Sequence, residues 1–523
     1  MAPSSSRTRR LLFRQQQVVA AFSLLATCAV VAWTYFAQDQ SHLLPGPLRG
    51  LQLQSWNWGR QKESWNDSGR LDNSLDGDAE LESSAQWDMT CHEAVERDLR
   101  IAVYDFTSFH DEVIGSMISS MNDTGIRTDV YRRFFRYGFS DILDTFLPNN
   151  DGEAYHWWDH LYPKLKAGEY DALILTSCDD YWVEQPLLEI LETLTRIPII
   201  CLHHEIWSFK RHRPRLINSA KAGKLSFFTL GAHVLKLVKE ENLEPWSQDG
   251  EDGDFDWTSV PAEVFVPIFP LPESIPLPSR APLAKHVVPN EVAIIGNVNN
   301  WGWRNYPKFW EDLTRAIKGS PAEWGYTISP ENGHFIPVPS SSNVQPFKVH
   351  VFGAREEGVH IPPELEGHVL VFHTGLDYID YYRELSKLDL VLPILGSDEW
   401  NEYIRNRATA AFPAGVISRV PSLVTPQLLK SYNYLERPAV ILHPDATDEV
   451  ETLAAMRRGE DPWNVGSSQE NEGRTAIESQ NVRSPLLDGC LRDRPKHKEW
   501  DWEGYISDVR AYNAKLLCKS LLR

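Results

Sequence analysis

A repeated alternation of short apolar runs with amphipathic stretches limits the possible folds more than any other feature of this chain. It begins with RIAVYDFT at 100–107 and the helical pattern DEVIGSMISSM at 111–121, and continues through TDVYRRFF, DALILTSC, PIICLHH, LSFFTL and EVFVPIF. Helical patterns near 158–167, 184–195, 212–222 and 232–241 fall between several of these runs. Apolar runs joined by amphipathic crossovers are the pattern of a parallel sheet covered on both faces. The expectation is a Rossmann-like α/β domain over 98–270.

The stretch 271–290 lies within PLPESIPLPSRAPLAKHVVPN, whose six prolines and lack of period suit an interdomain linker. The alternation then restarts with EVAIIGN, the helical YPKFWEDLTRAIKG, FKVHVFGA, HVLVFHTG, YIDYYRELSKL, DLVLPILGS and a helix beginning near Arg407. This predicts a second Rossmann-like domain over 291–490 and a C-terminal helical segment over 491–523 that packs back across the domain boundary. Segments 247–259, 327–346 and 459–490 read as surface insertions. With 523 residues the chain exceeds what one core usually supports, which fits two domains facing a shared cleft.

Residues 1–17 carry Arg7, Arg9, Arg10 and Arg14 with no acid, ahead of an uncharged apolar run from Val18 to Ala37. Twenty helical residues span about 30 Å, one bilayer core. The positive flank should remain cytoplasmic, making 18–37 a type II signal anchor and 38–97 a polar luminal stem. A signal peptide cleaved near Ala37 is the alternative. Sequons at Asn66 and Asn122 fit a luminal position. Cys178 and Cys201 end predicted core strands and read as small buried side chains, whereas Cys91 and Cys490 lie near domain edges where a bridge is feasible. The balance of 52 Lys+Arg against 72 Asp+Glu gives a net charge of −20, which argues against nucleic acid as a partner.

Candidate chemistry gathers at strand ends. In EVAIIGNVNNWGWRNY the strand stops at Gly296-Asn297, where a ligand phosphate can approach the backbone, and Arg304 offers a fixed cation just before a helix start. His110 follows the first strand at a helix start, as a neutral imidazole suited to general base work, with Asp111 or Glu112 to orient or replace it. His203, His204 and Glu205 follow PIICL and should reach the carboxyl edge of the sheet, in contact with acceptor or donor. Adjacent histidines project to opposite strand faces, so this cluster is a poor metal site. Asp179-Asp180 and Asp254-Phe255-Asp256 read as solvated loop acids. Trp157-Trp158, Trp182 and Trp207 are available either to stack on sugars or to fill the core.

IIGNVNNWGWRNY, the region 372–398 and RNRATAAFPAGVISRVPSLVTPQLL at 405–429 together resemble the GT-B glycosyltransferases, particularly eukaryotic members with a Gly-Asn strand leading to an Arg-Asn/Asp-Tyr element. The first half matches only in strand pattern and in TSFHDEV at 107–113. The resemblance implies that Gly296, Asn297 and Arg304 lie near a diphosphate, His373, Thr374 and Gly375 near a base, and Ser397 and Asp398 at the cleft. It places Arg407, Ala408 and Thr409 on the far side of the diphosphate. The family implies a nucleotide-sugar co-substrate, UDP- or GDP-linked, a glycan or glycoconjugate acceptor, and no metal or other cofactor. The pair of glutamates eight positions apart found in many retaining members is missing, which points to inversion. A catalytically silent luminal binding protein and a metal-dependent transferase of the other large fold are the competing readings.

Overall fold

The first sheet is made of short apolar strands buried on both faces. In the computed structural model these are β1 (Arg100–Asp105), β2 (Arg127–Arg132), β3 (Tyr155–Trp157), β4 (Ala172–Leu175), β5 (Ile199–His203), β6 (Leu225–Thr229) and β7 (Ala262–Val264). All pairings are parallel, in the order β3-β2-β1-β4-β5-β6-β7. Ile101 and Val103 pack in one apolar cluster and Ala102 and Tyr104 in another, the alternation expected of a strand covered on both sides. The structure describes residues 96–105, 107, 110–147, 155–178, 185–206, 213–275, 277, 288–300, 302–339, 344–395, 402–464, 482–491 and 501–523.

A second parallel sheet holds β8 (Glu291–Ile295), β11 (Lys348–Phe352), β12 (Leu370–His373), β13 (Leu390–Val391), β14 (Ser422–Val424) and β15 (Val440–Leu442), while β9 (Tyr326–Ile328) and β10 (Phe335–Pro337) form a separate antiparallel hairpin. The order β12-β11-β8-β13-β14-β15 repeats the topology of the first sheet. In each sheet the chain builds outward from a central strand, then returns to its other side. Such reversals, at β1/β4 and β8/β13, open crevices at the carboxyl ends of the strands.

Five helices position the site: α1 (Asp111–Thr124), α2 (Tyr306–Gly319), α3 (Tyr378–Leu385), α4 (Ala411–Ile417) and α5 (Trp502–Leu521). Asn305 caps α2 by accepting the Lys308 N–H at 3.3 Å, and Pro307 occupies its first turn. The C-terminal helix α5 packs on the first half. There the Asn513 side chain accepts the Val266 N–H at 3.1 Å and donates to the Val266 carbonyl at 2.8 Å, and Tyr512 donates to the Val264 carbonyl at 2.7 Å. One apolar cluster runs from Ile101 and Met117 through Phe269 to Tyr382, Phe412 and Tyr505, so the two halves share a core.

Several elements differ from the sequence expectation. β3, β14 and β15 span three residues each, too few to show a period, and the segment 327–346 contains the β9/β10 hairpin rather than loop alone. The helix expected near Arg407 begins at Ala411, with a short turn at Glu402–Arg405 before it. Cys178, just beyond β4, and Cys201, within the neighbouring β5, are joined in a disulfide with a Cα separation of 5.3 Å. Cys490 is free and Cys518 is disulfide-bonded. Among the described residues no helix is long and apolar enough to cross a membrane. The expected anchor 18–37, Asn66, Cys91, Asp179, Asp180, Trp182, Trp207, Ser397, Asp398 and most of the linker 271–290 lie outside the described residues.

The most buried electrostatic feature ties β1, β2 and α1 together. Arg132 Nε lies 2.7 Å from Asp105 Oδ2 and its Nη2 donates to Asp111 Oδ1 at 2.5 Å, with all three side chains at most 2% exposed. Removing one partner of such a group leaves an uncompensated charge and costs about 3–5 kcal/mol. Asp105→Asn should therefore lower the thermal midpoint of the full chain by several degrees, read by tryptophan fluorescence; a melt that overlays the wild type would show the pair to be dispensable.

Candidate functional site

Both sheets present their carboxyl ends to a shared cleft, and the side chains there divide into three groups. The first belongs to the strand ends of the second half. β8 runs into Gly296, whose φ of +111° lies in a region that residues with a side chain rarely adopt. Its amide donates to the Phe352 carbonyl at 3.0 Å, and a Cβ at Gly353 would lie 2.4 Å from the Gly296 oxygen. The two backbones thus touch directly. Gly353 was not singled out from sequence, although FKVHVFGA and EVAIIGN both end an apolar run in glycine. Asn297 braces the turn: its Oδ1 accepts the Ala354 N–H at 2.8 Å and its carbonyl accepts the Tyr306 hydroxyl at 3.2 Å.

Arg304 lies beside this turn, 9% exposed, with Nη2 at 3.7 Å from where a Gly296 Cβ would stand. That nitrogen reaches Thr409 Oγ1 at 3.5 Å, while Nη1 is buried with no hydrogen-bond partner among the described residues. Among those residues no carboxylate pairs with the guanidinium. A buried cation with no counter-charge among the described residues is costly, and such a position can take an anion. Thr409 is held by the Tyr432 hydroxyl on its amide at 3.1 Å, and its own Oγ1 accepts the Ala411 N–H at 3.2 Å.

Arg407 differs. It pairs with Glu205, lies 3.6 Å from Glu402 and stacks over the Trp303 ring at 4.1 Å. Glu205 and Arg407 also form an antiparallel bridge, and the Ala408 amide donates to the His204 carbonyl at 3.2 Å. This stretch joins the two halves. His233 adds a second tie from the first half, with Nδ1 and Nε2 each 2.9 Å from the carbonyls of Ser431 and Arg407.

At the end of β12, His373 stacks on Phe352 with centroids 4.6 Å apart and contacts His350 Nδ1 through Nε2 at 2.9 Å. Thr374 and Gly375 follow on the exposed side, where Gly375 has a φ of +69° and open space around its Cβ position.

The third group is the carboxyl edge of the first sheet. His110 precedes α1 and makes no side-chain cap bond; its ring stacks on His204 at 3.5 Å. His204 Nε2 in turn lies 2.8 Å from the Thr176 carbonyl. Burial, then the nearby charges of Arg132 and Arg407, holds the His110 pKa down to about 4, so the ring is neutral at pH 7. His203 points the other way into the core, 3.4 Å from Cys201 Sγ, and burial lowers its pKa to about 3. Cys178, Cys201 and His203 converge within 4.8 Å, but the two sulfurs are bonded to each other and offer no thiolate.

The acids at the start of α1 separate into two environments. Both Asp111 oxygens are occupied, Oδ1 by Arg132 and Oδ2 by the Tyr378 hydroxyl at 2.6 Å. Glu112 is half-buried, and burial together with the neighbouring Asp111 charge raises its pKa to about 7. Its charge acts on Tyr378, Tyr381 and Tyr382 of α3, and Tyr381 also feels Arg304. Glu112 and Arg304 are therefore electrostatic neighbours of the same tyrosine from opposite halves. The acidic loop 247–259 is engaged away from this region. Asp249 and Asp252 bind Arg213, and Asp256 caps the short turn Trp257–Ser259. Asn122, in the last turn of α1, is exposed.

Comparison with known proteins finds no matching family model and no matching curated protein. Solved structures give loose superpositions. The glycotransferase of kitacinnamycin aligns at 13% identity over 81% of this chain and 99% of its own, with a TM-score of 0.34. HepE of Anabaena, in complex with UDP and glucose, gives 11% identity, 75% and 98% coverage and a TM-score of 0.38. The UDP-N-acetylglucosamine 2-epimerase from Rickettsia bellii gives 12% identity, 81% and 96% coverage and a TM-score of 0.37. With superpositions this loose, any functional reading rests on the chain's own side chains.

Proposed function

We propose that this chain is a glycosyltransferase that moves a sugar from a UDP- or GDP-linked donor to a hydroxyl of a glycan or glycoconjugate, with inversion and without a metal. It acts as a type II protein of the Golgi or ER membrane, with 18–37 as anchor. The observation that carries the reading is Arg304, a buried guanidinium with no carboxylate among the described residues, set between the Gly296 turn and Thr409. A diphosphate supplies negative charge to that guanidinium, and the absence of a Cβ at Gly296 leaves room beside Arg304 for its oxygens.

In the transfer step the acceptor oxygen attacks the anomeric carbon as the bond from that carbon to the diphosphate oxygen breaks. The acceptor proton passes to a base and the bonding electrons leave with the diphosphate. Arg304 stabilises the charge that develops there, the role a metal plays in other transferases. We assign the base to Glu112 in preference to His110. A base works best with a pKa near the working pH, and Glu112 at about 7 meets that condition whereas His110 at about 4 is a poor proton acceptor. Asp111 is committed to Arg132 and Tyr378 and holds the helix start in place. Arg407, already countered by Glu205 and Glu402, joins the halves and turns to the donor only as those contacts loosen.

Two experiments test the reading on the full chain. Calorimetry with UDP and GDP, with EDTA present, should show binding by the wild type and at least a tenfold loss in Arg304→Ala, about 1.4 kcal/mol; equal affinity in both would remove the donor site from this position. The pH profile of transfer separates the two bases. With Glu112 as base the rate rises with pH and levels off above about 7, because the carboxyl must first lose its proton. With His110 the profile is flat from about pH 5 upward. Glu112→Gln should lower turnover by about 10²–10⁴ with nucleotide affinity unchanged.

A further inference from the structure

Helix α3 carries three tyrosines whose hydroxyls stand in three different situations. Tyr378 donates to Asp111 Oδ2 at 2.6 Å and so belongs to the buried ion-pair group at the start of α1. Tyr382 is fully buried and its hydroxyl has no hydrogen-bond partner among the described residues, which leaves it sealed in the core that the two halves share. Tyr381 is half-buried, and among the described residues its hydroxyl makes no hydrogen bond. Of the three, it is the phenol that is neither engaged nor sealed, and so the one able to meet a ligand.

Its ring is held from both sides. Tyr381 meets Phe352 edge-on with centroids 5.4 Å apart, and the Phe352 carbonyl is the group that takes the Gly296 amide. On α3 itself the rings of Tyr382 and Tyr378 lie 5.0 and 6.0 Å away. Tyr381 thus stands between the glycine turn of the second half and the tyrosine that holds α1 of the first. The charges around it agree with that placement, since it feels both the Glu112 carboxyl and the Arg304 guanidinium. Burial, then the Glu112 charge, holds its pKa well above the ordinary phenol value, so the hydroxyl keeps its proton and remains a donor.

In an inverting transfer the attacking oxygen and the leaving diphosphate are in line on opposite sides of the anomeric carbon. The transferred ring therefore lies between the base that takes the acceptor proton and the cation that receives the diphosphate. Under the function proposed above these are Glu112 and Arg304, and Tyr381 is the side chain that neighbours both. We propose that Tyr381 touches the transferred sugar, its hydroxyl donating a hydrogen bond to an oxygen of that ring. The contact makes α3 a determinant of which sugar is accepted, apart from recognition of the nucleotide. A polar group placed for a sugar oxygen selects against a sugar that lacks or misplaces it, because the hydroxyl is then enclosed without a partner. The inference rests on the glycosyltransferase reading with Glu112 as base.

The test is calorimetry on the full-length chain with UDP, GDP, UDP-glucose, UDP-galactose, UDP-N-acetylglucosamine, GDP-mannose and GDP-fucose, for wild type and Tyr381→Phe. The expected result is that the variant binds the nucleotide sugar preferred by the wild type about tenfold more weakly, with UDP and GDP affinity and the thermal midpoint unchanged. A variant that loses nothing overturns the contact, as does a wild type that prefers none of the sugars. Loss of nucleotide affinity together with a lowered midpoint also overturns it, since the ring is then a structural support. So does a shifted pH profile of transfer with sugar affinity intact, because the hydroxyl then acts on Glu112. A wild type that binds neither UDP nor GDP refutes the transferase reading, and the sugar contact falls with it.

Discussion

Arg132 is the constraint on which the arrangement of the cleft depends. It receives Asp105 from the end of β1 and Asp111 from the start of α1, and Asp111 is shared with Tyr378 from the opposite half. The strand, the helix start and the facing helix α3 are thereby set relative to one another by one buried cation. His110 and Glu112 flank Asp111 in sequence, so their placement follows from its anchoring. A buried ion pair is weak evidence for stability, since apolar packing often does as well, but it is directional in a way that apolar contact is not. Its use here is registration. It fixes which acid of the pair Asp111-Glu112 is consumed by structure and which is left half-buried with a raised pKa.

The parallel sheets were legible in the sequence because their central strands are apolar on both faces and separated by amphipathic helices. RIAVYD, IICLH and EVAII needed no tertiary information. The three-residue strands were less so: Tyr155–Trp157, Ser422–Val424 and Val440–Leu442 are held by neighbours rather than by their own pattern. Gly296, Asn297 and Arg304 stood out for a related reason. A glycine ending a strand, and an arginine and asparagine before a helix, are local signals, and Asn305 proves to be the cap that ends the Arg304 turn. What a sequence cannot carry is which charges meet. Arg304 and Arg407 are equivalent on paper, yet one is left without a carboxylate among the described residues and the other is countered by Glu205 from 202 positions away. The same limit applies to Trp157 and Trp158, adjacent indoles of which the first is exposed and the second packs against the core.

One group of the contacts that join the halves lies in a single strip. Glu205 with Arg407, the Ala408 amide on the His204 carbonyl, and His233 between two carbonyls all come from the carboxyl side of the first sheet and the approach to α4. Thr409, two residues from Arg407, is the residue that Arg304 reaches. Any movement that opens or closes the halves therefore displaces the wall of the anion site as well. The stacked His110 and His204 rings lie beside the same strip, which couples the start of α1 to the contact at Arg407 and Ala408.

The polyanionic donor proposed for this chain and its net charge of −20 look mismatched, and the resolution lies in range. At physiological ionic strength the screening length is about 8 Å, so most surface carboxylates contribute little at the cleft. A buried guanidinium is screened far less, and its attraction acts in a medium of lower dielectric constant. Arg304 therefore outweighs a much larger opposite charge spread over the surface, and it does so only for a ligand that enters the cleft. The guanidinium carries a desolvation cost that the proposed diphosphate would offset. Ligand binding to the native state alone must then raise the unfolding free energy, by about 2.7 kcal/mol at a hundredfold excess over Kd. The proposed selectivity for an anion would follow from that one guanidinium, which has no carboxylate partner among the described residues.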